Sequence, residues 1–370
     1  MEKGEKMDLE ELRSRVDRID SDVLKLLNER MELALRTRKL KNAVSDPARE
    51  REIVESIRKR SVGLVNPEFS ERIFKEIISE SRRLQEKNPV LAAFQGEHGA
   101  YGEMASRKFD HSAVPVSCRE FSEVFKGVEG GKLDLGVVPV ENSLEGAVSE
   151  VNDLLLNTSL KIVGEVTVPI HHCLLVAPGT DHRDIKVVYS HPQALGQCRG
   201  FISRNKLEAR PYYDTAGAAM MLASERPTAA AAIASRLCAE LYGLEVLKEN
   251  IEDHESNSTR FLVLSRESAK AEGNKCSIMF STAHKAGALF GVLKVFSDHQ
   301  INLTRIESRP VRDEQRRYAF LLDFIGSASD PKISEALAEV EKEASMYKFL
   351  GCYGEAPANG AAKLEKGAEK

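Results

Sequence analysis

The stretch LEELRSRVDRIDSDVLKLLNERMELALRTRKLK, residues 9–41, decides how the chain begins. Leu9, Leu12, Val16, Ile19, Val23 and Leu26 step by three and four, the spacing of a heptad seam on one helix face. Continued from Asp8, the step passes positions 30, 33, 37, 40 and 44 and predicts a first helix of about 35 residues, roughly 50 Å long. Asp46-Pro47 and Asn66-Pro67 each join an N-cap side chain to the residue favoured at the first helical position, so two more helices should follow. Ile53, Val54 and Ile57 give the second an apolar face; Ile73, Phe74, Ile77 and Ile78 do the same for the third. A first helix this long overhangs a three-helix monomer. The seam therefore predicts an intertwined helical dimer in which a second copy covers it.

This segment is also the most charged: residues 1–88 hold 40 Lys, Arg, Asp and Glu side chains, against 70 in the other 282. It reads as a separate domain, as a chain of 370 residues leads one to expect. The net charge of −4 offers no basic field for nucleic acid. No apolar run reaches membrane-spanning length, and the opening MEKGEKMDLEEL is too charged for a secretory signal. Cysteines 118, 173, 198, 238, 276 and 352 lie far apart without a CxxC pair, which suits a reducing cytoplasm and argues against a disulfide framework or cysteine zinc site.

From Val90 short β-rich runs (VLAAF, LGVVPV, IVGEVTV, HHCLLVA, KVVYS, TRFLVLS) alternate with helical stretches, predicting an α/β region with mainly parallel strands. A polar break over 268–275 precedes a βαββαβ pattern, the ferredoxin-like arrangement. The tail from Gly354 has no apolar periodicity and should be disordered. The expected domains are 1–88, 89–267 and 275–353, with the tail at 354–370.

The seam fails in an informative way. Arg30 and Thr37 stand at seam positions, Ser81 and Gln85 continue the Ile73/Ile77 row, Glu50 precedes Ile53 by one turn, and Lys41 flanks Leu40. One such residue is ordinarily an ion pair inside the bundle. Several together are costly to bury unless they pair with one another or with a ligand, and surplus positive charge suits a compact organic dianion. Residues 8–87 resemble the all-helical chorismate mutase domain of bifunctional P-proteins, matched at Arg13, Arg30, Lys41, Asp46, Arg49, Glu50, Ser81 and Gln85. The resemblance implies Arg13 of a partner chain and Arg30 on the substrate carboxylates, and Lys41 and Gln85 on the ether oxygen. It also implies Glu50 on the ring hydroxyl, supported by Asp46, Arg49 and Ser81. Chorismate rearranges to prephenate without nucleophile, metal or proton relay; the site must hold the folded conformer and meet charge developing on the ether oxygen.

Four motifs stand out in the middle: FQGEHGAYGEMA (94–105), GVVPVENSLEGAV (136–148), YSHPQALGQC (189–198) and DHESNSTRFLVLS (253–265). Each alone could be turn or N-cap chemistry, and Glu141-Asn142-Ser143 reads as a helix start. Polar junctions following strands nonetheless suggest a crevice where open α/β sheets bind ligands. The set resembles the prephenate dehydratase domain, which implies two periplasmic-binding-protein-like lobes with the site between them. The resemblance makes Thr259 the essential polar group at the departing hydroxyl, with Asn142, Ser143, His191, Gln193, Thr215 and Arg260 on the substrate. Gly102 stands where that family usually has Ser or Thr. His171-His172 would point to opposite faces of a strand, and with no HxxxH or HExxH spacing no metal is expected; most histidines should be structural or superficial.

Residues 276–353 resemble the ACT domain, a sensor of amino acids. Gly287-Ala288-Leu289 and Glu307-Ser308-Arg309-Pro310 match the motifs of its phenylalanine-binding version, with Ala286 where relatives often have Pro or Thr. The whole implies a cytoplasmic, cofactor-free enzyme that turns chorismate into prephenate and prephenate into phenylpyruvate under feedback by L-phenylalanine. It should work as a homodimer or higher homo-oligomer, without nucleic acid or membrane. Two rivals are an arogenate dehydratase of the same architecture and a non-catalytic ligand-binding module.

Overall fold

A computed structural model describes residues 9–41, 43–269, 273–310 and 318–355. The chain divides into two units, one ending at Leu91 and one beginning at Ala92.

The first unit holds three helices, α1 (Leu9–Arg38), α2 (Pro47–Arg60) and α3 (Pro67–Lys87). At 30 residues α1 falls short of the predicted length. The amides of Lys39 and Leu40 turn back onto the carbonyls of Arg36 and Thr37 (3.2 and 3.1 Å), closing the helix before seam positions 40 and 44. Both predicted caps form: Asp46 accepts from the Arg49 amide at 3.0 Å and Asn66 from that of Phe69 at 2.8 Å. The seam itself stays bare, with Leu9, Leu12, Val16, Ile19, Val23 and Leu26 between 46% and 62% exposed.

The second unit opens with a lobe of β1 (Leu91–Gln95), α4 (Tyr101–Phe109), β2 (Val114–Cys118), α5 (Phe121–Glu129), β3 (Leu135–Asn142), β4 (Gly146–Ala147), α6 (Ser149–Asn157) and β5 (Lys161–Pro169). A second lobe follows with β6 (Cys173–Val176), β7 (Val187–Ser190), α7 (Pro192–Gln197), α8 (Arg199–Arg204), β8 (Glu208–Pro211), α9 (Thr215–Glu225), β9 (Ala230–Ala234), α10 (Arg236–Tyr242) and β10 (Glu245–Lys248). The chain then returns to the first lobe as β11 (Ser258–Ser265), giving sheet orders β2-β1-β3-β11-β5, with β4 on β3, and β10-β6-β9-β7-β8.

Both sheets are mixed, not mainly parallel. β1/β3, β7/β8 and β7/β9 are parallel, but β11 runs antiparallel to β3 and β5, and β6 runs antiparallel to β9 and β10. The two crossings between lobes are zipped together: the Ile170 amide donates to Asn257 O (2.9 Å) and the Ile251 amide to His172 O (3.0 Å). Glu141-Asn142-Ser143 is not a helix start. It ends β3 and turns into β4, because Asn142 Oδ1 accepts from the amides of Leu144 and Glu145 (3.0 and 3.2 Å). Strand β9 escaped sequence reading because AAAIA, buried throughout, has no alternation and only Ile233 as a β-branched residue.

The C-terminal sheet has the predicted βαββαβ order: β12 (Lys275–Ser281), α11 (Ala288–Asp298), β13 (Leu303–Pro310), β14 (Tyr318–Ile325), α12 (Pro331–Glu343) and β15 (Met346–Tyr353), arranged β13-β14-β12-β15. Phe280, Phe296 and Phe324 fill its core. This sheet joins the first lobe directly, for Lys161 Nζ donates to Phe349 O at 2.8 Å. Residues 270–272 of the polar break, and the tail from residue 356 onward, lie outside the described residues.

Candidate active sites

In the helical unit, Arg30 on α1 donates to Ser81 Oγ on α3 at 2.6 Å, and burial lowers the Arg30 pKa. Gln85, four residues beyond Ser81 on the same face, donates from Nε2 to Ala34 O at 2.6 Å. Ser81 and Gln85 are buried, as their place on the Ile73/Ile77 row predicted. Glu50 on α2 faces Arg82 on α3 at 3.6 Å. Asp46 caps α2, while exposed Arg49 pairs with Glu52 at 2.6 Å. Lys41 is exposed just past α1, so the expectation of an interior lysine is not met within one chain. Arg13 stands 17 residues before Arg30 on one helix, on the order of 25 Å away, and cannot reach the same ligand. Arg38, two turns beyond Arg30, escaped sequence reading; its Nε is buried without a hydrogen-bond partner.

The second site is a cleft of about 420 Å³ between the two lobes. Asn142, His191, Gln193, Thr215 and Thr259 line it; Ser143 and Arg260 do not. Ser143 Oγ accepts from the Ser258 amide at 3.0 Å and so ties the β3 turn to β11. Arg260 lies on the opposite face of β11, for Thr259 and Phe261 both line the cleft and side chains alternate along a strand. There it donates from Nε to Glu141 (2.7 Å), from Nη1 to Glu165 (2.8 Å) and from Nη2 to Asp323 of β14 (2.7 Å). Burial would lower its pKa, but Asp323, Glu141 and Glu165 raise it.

Antiparallel pairing sets Thr259 opposite Asn142, and Asn142 Nδ2 donates to Thr259 Oγ1 at 2.9 Å and to Asn257 Oδ1 at 2.8 Å. The amide cannot turn round, since its oxygen is held by the Leu144 and Glu145 amides. Thr259 Oγ1 therefore accepts from the protein and keeps its own proton for a ligand.

His172 is a cleft residue that sequence reading missed, because residues 170–172 form a crossing between lobes and not a strand. Burial lowers its pKa and keeps the imidazole neutral. Gln197 Nε2 donates to Glu145 at 2.9 Å, which turns Gln197 Oε1 toward His172 Nε2 at 2.9 Å. The ring thus carries its proton on Nε2; its Nδ1 lies 3.1 Å from Tyr101 Oη, which donates its own proton to the His171 carbonyl at 2.7 Å. Asp214 also lines the cleft; one oxygen accepts from the Gly217 amide at 2.7 Å, and burial raises its pKa. At Gly102 a Cβ would stand 3.0 Å from that of Phe94, so a larger residue there requires Phe94 to shift slightly.

In the C-terminal sheet, Gly287 caps α11 at φ +82°, and nothing stands within 4 Å of where its Cβ would be. Ala288 opens α11, and Leu289 packs on the core. On β13, Glu307 and Arg309 are partly covered while Ser308 and Pro310 face outward. Arg309 pairs with Asp153 of α6 at 2.7 Å, so in one chain it grips the neighbouring lobe and does not stand free for a ligand.

The family pattern described as chorismate mutase type II matches residues 12–86, that for prephenate dehydratase residues 92–269, and that for the ACT domain residues 277–342. A bifunctional chorismate mutase/prephenate dehydratase of Aquifex aeolicus is 38% identical over 362 residues, 94% of this chain and 98% of that protein. The chloroplastic arogenate dehydratase/prephenate dehydratase 2 of Arabidopsis thaliana is 42% identical over 276 residues, 71% of this chain and 72% of its own. The crystal structure of a prephenate dehydratase from Arthrobacter aurescens in complex with L-Phe superposes with a TM-score of 0.67 at 33% identity, over 74% of this chain and 91% of that one. With both catalytic domains and the ACT domain matched in order along nearly its whole length, the chain belongs to the bifunctional chorismate mutase/prephenate dehydratase family.

Proposed function

We propose that residues 1–88 rearrange chorismate, residues 89–267 dehydrate the prephenate formed, and residues 275–353 sense the amino acid made from the product. In the mutase domain Arg30 meets a substrate carboxylate while Gln85 and Lys41 face the breaking ether oxygen, with Glu50 on the ring hydroxyl and Asp46, Arg49 and Ser81 in support. Preorganised donors aimed at developing charge are sufficient for a pericyclic shift. A second copy completes the site: it covers the bare α1 seam and supplies Arg13.

The hydrogen bond from Asn142 to Thr259 carries the dehydratase reading. As the ring carboxylate leaves as carbon dioxide, its bonding electrons enter the ring and expel the hydroxyl group. Thr259 donates its free proton as a hydrogen bond to that departing oxygen, which completes its protonation from water on release. No Lys or Arg lines the cleft among the described residues. Substrate carboxylates therefore meet the amides at the N-termini of α4 and α9, which carry positive partial charge. His191, Gln193 and Thr215 contribute neutral polar contacts, and neutral His172 holds Tyr101 and Gln197 in place.

L-phenylalanine is the inhibitor this architecture suits, held near Gly287 and the Glu307–Pro310 strand; the Arthrobacter relative was crystallised with it. The six unpaired cysteines support a reducing, cytoplasmic setting. Chorismate supplied alone to the pure protein should yield prephenate and then phenylpyruvate; accumulation of prephenate without phenylpyruvate would defeat the dehydratase assignment.

A second reading has one observation in its favour. The Asp214 carboxyl on a wall without Lys or Arg suits an ammonium group, which arogenate carries and prephenate lacks. Turnover of each substrate separately decides between them, and a preference for arogenate that Asp214→Asn abolishes would establish the second.

A further inference from the structure

β3 and β11 place different residues on their two faces. Register pairs Thr259 with Asn142 and, one step along, Arg260 with Glu141. The first pair faces the cleft; the second faces the ACT sheet. Immediately beyond Arg260 the pairing slips by one residue, a bulge that fixes where both faces point.

Behind the cleft the charges balance. Arg260, Lys275 and Arg305 meet Glu141, Glu165 and Asp323, three cations with three anions. The ACT sheet contributes Lys275, Arg305 and Asp323, a surplus of one positive charge; the dehydratase lobe contributes the other three, a surplus of one negative. Ser277 Oγ donates to Asp323 Oδ1 at 2.6 Å and lies 2.8 Å from Tyr353 Oη. Arg305 Nη2 donates to Asn152 of α6 at 2.6 Å, and Arg309 on the same strand reaches Asp153 of α6 at 2.7 Å. The strand bearing the Glu307–Pro310 motif is thus bonded to the dehydratase lobe at two points.

We propose that Arg260 is a positioning residue for dehydration: it fixes the backbone that carries Thr259, and through Asp323 it lets the state of the ACT sheet set the Thr259–Asn142 contact. The arginine was expected to touch prephenate; its three donating nitrogens are all committed to carboxylates on the far side of the strand. A shift of β13 or β14 on ligand binding would leave buried charges unpaired, so the junction favours discrete arrangements over gradual deformation. The regulatory half of this proposal rests on the reading of the ACT domain as an amino-acid sensor; the positioning half does not.

The test uses the full chain with Arg260→Lys, Asp323→Asn and the double variant. Chorismate mutase activity and thermal melting serve as controls for folding. Arg260→Lys should lower dehydratase kcat at least tenfold with KM within twofold, whereas a rise in KM at unchanged kcat would make Arg260 a substrate contact and overturn the proposal. Asp323→Asn should keep phenylalanine affinity by calorimetry but raise the half-inhibiting concentration at least tenfold. Unchanged inhibition in that variant overturns the coupling. The double variant should lose no more kcat than Arg260→Lys alone; additive losses mean the two residues act separately. If the wild type neither binds nor responds to phenylalanine, the sensor reading fails, and the kcat–KM split of Arg260→Lys still decides the positioning role. Should Arg260→Lys fail to fold, the paired binding and inhibition measurements on Asp323→Asn decide.

Discussion

The mutase site and the dehydratase cleft both handle anions that share carboxylates and a ring hydroxyl, yet they are built in opposite ways. As proposed, the mutase site relies on charged side chains of a helical unit, and one chain leaves its seam exposed and Arg13 on the order of 25 Å from Arg30. The dehydratase cleft forms within one chain, lined by neutral polar groups, helix ends and Asp214, with Arg260 turned behind the sheet. The difference follows from geometry. A straight helix cannot fold back on itself, so on the proposed reading Arg13 joins the site only from a second copy. An antiparallel sheet brings residue 259 beside residue 142 with no partner at all.

The hardest test of that contrast is Thr259→Val. It keeps the shape, removes the donor to the leaving oxygen and leaves the Asn142 amide without one of its acceptors. Phenylpyruvate formation should fall roughly 10²–10³-fold while prephenate still binds and chorismate turnover is unchanged. Near-normal dehydration would remove Thr259 from the mechanism.

Arg30→Ala attacks the other site. Chorismate turnover should drop by about 10²-fold or more, with dehydration of added prephenate intact. Joint loss of both activities would instead make Arg30 a structural residue.

Ile19→Glu separates the two sites by their dependence on a partner. A charge on the seam should weaken association at least about tenfold, about 1.4 kcal/mol, and make mutase activity fall on dilution while dehydration per chain does not. Sedimentation together with both assays measures this, and a variant that remains fully associated and active would show that the seam is not an interface.

The smallest effect concerns acid stability of the second unit. Burial would raise the Asp323 pKa, but Arg260 and Arg305 hold it below the usual carboxylate value. A carboxyl depressed in the folded state stabilises above its unfolded pKa, near 4, and loses that contribution as pH falls through the folded value. The wild type should therefore lose stability more steeply below about pH 4 than Asp323→Asn, read by thermal melting across pH. Parallel pH curves would mean that Asp323 titrates normally.

Much of this was legible beforehand. Asp46-Pro47 and Asn66-Pro67 marked helix starts because capping is local chemistry, and Ser81 and Gln85 proved buried because helical period is local too. Period two also places Arg260 opposite Thr259, since adjacent residues of a strand point to opposite faces. Tyr101 and Gln197 lie within motifs the sequence shows, but their link to His172 carried no sequence signal, since it spans the crossing between two lobes. The predicted helix at Glu141-Asn142-Ser143 failed because an Asn followed by polar residues suits a cap or an Asx turn equally well, and only the neighbouring β11 selects the turn.

By itself, then, the sequence determined three successive domains, the helix seam, and the residue types available to each site, because periodicity, caps and motifs act over a few residues. Only the tertiary structure decided which faces those residues occupy: Asn142 donating to Thr259, Arg260 turned to Asp323, and neutral His172 in the cleft wall. Such contacts join residues more than a hundred positions apart or span separate lobes and sheets. Their energy depends on burial and on which charges face each other, and neither is set until the chain has folded.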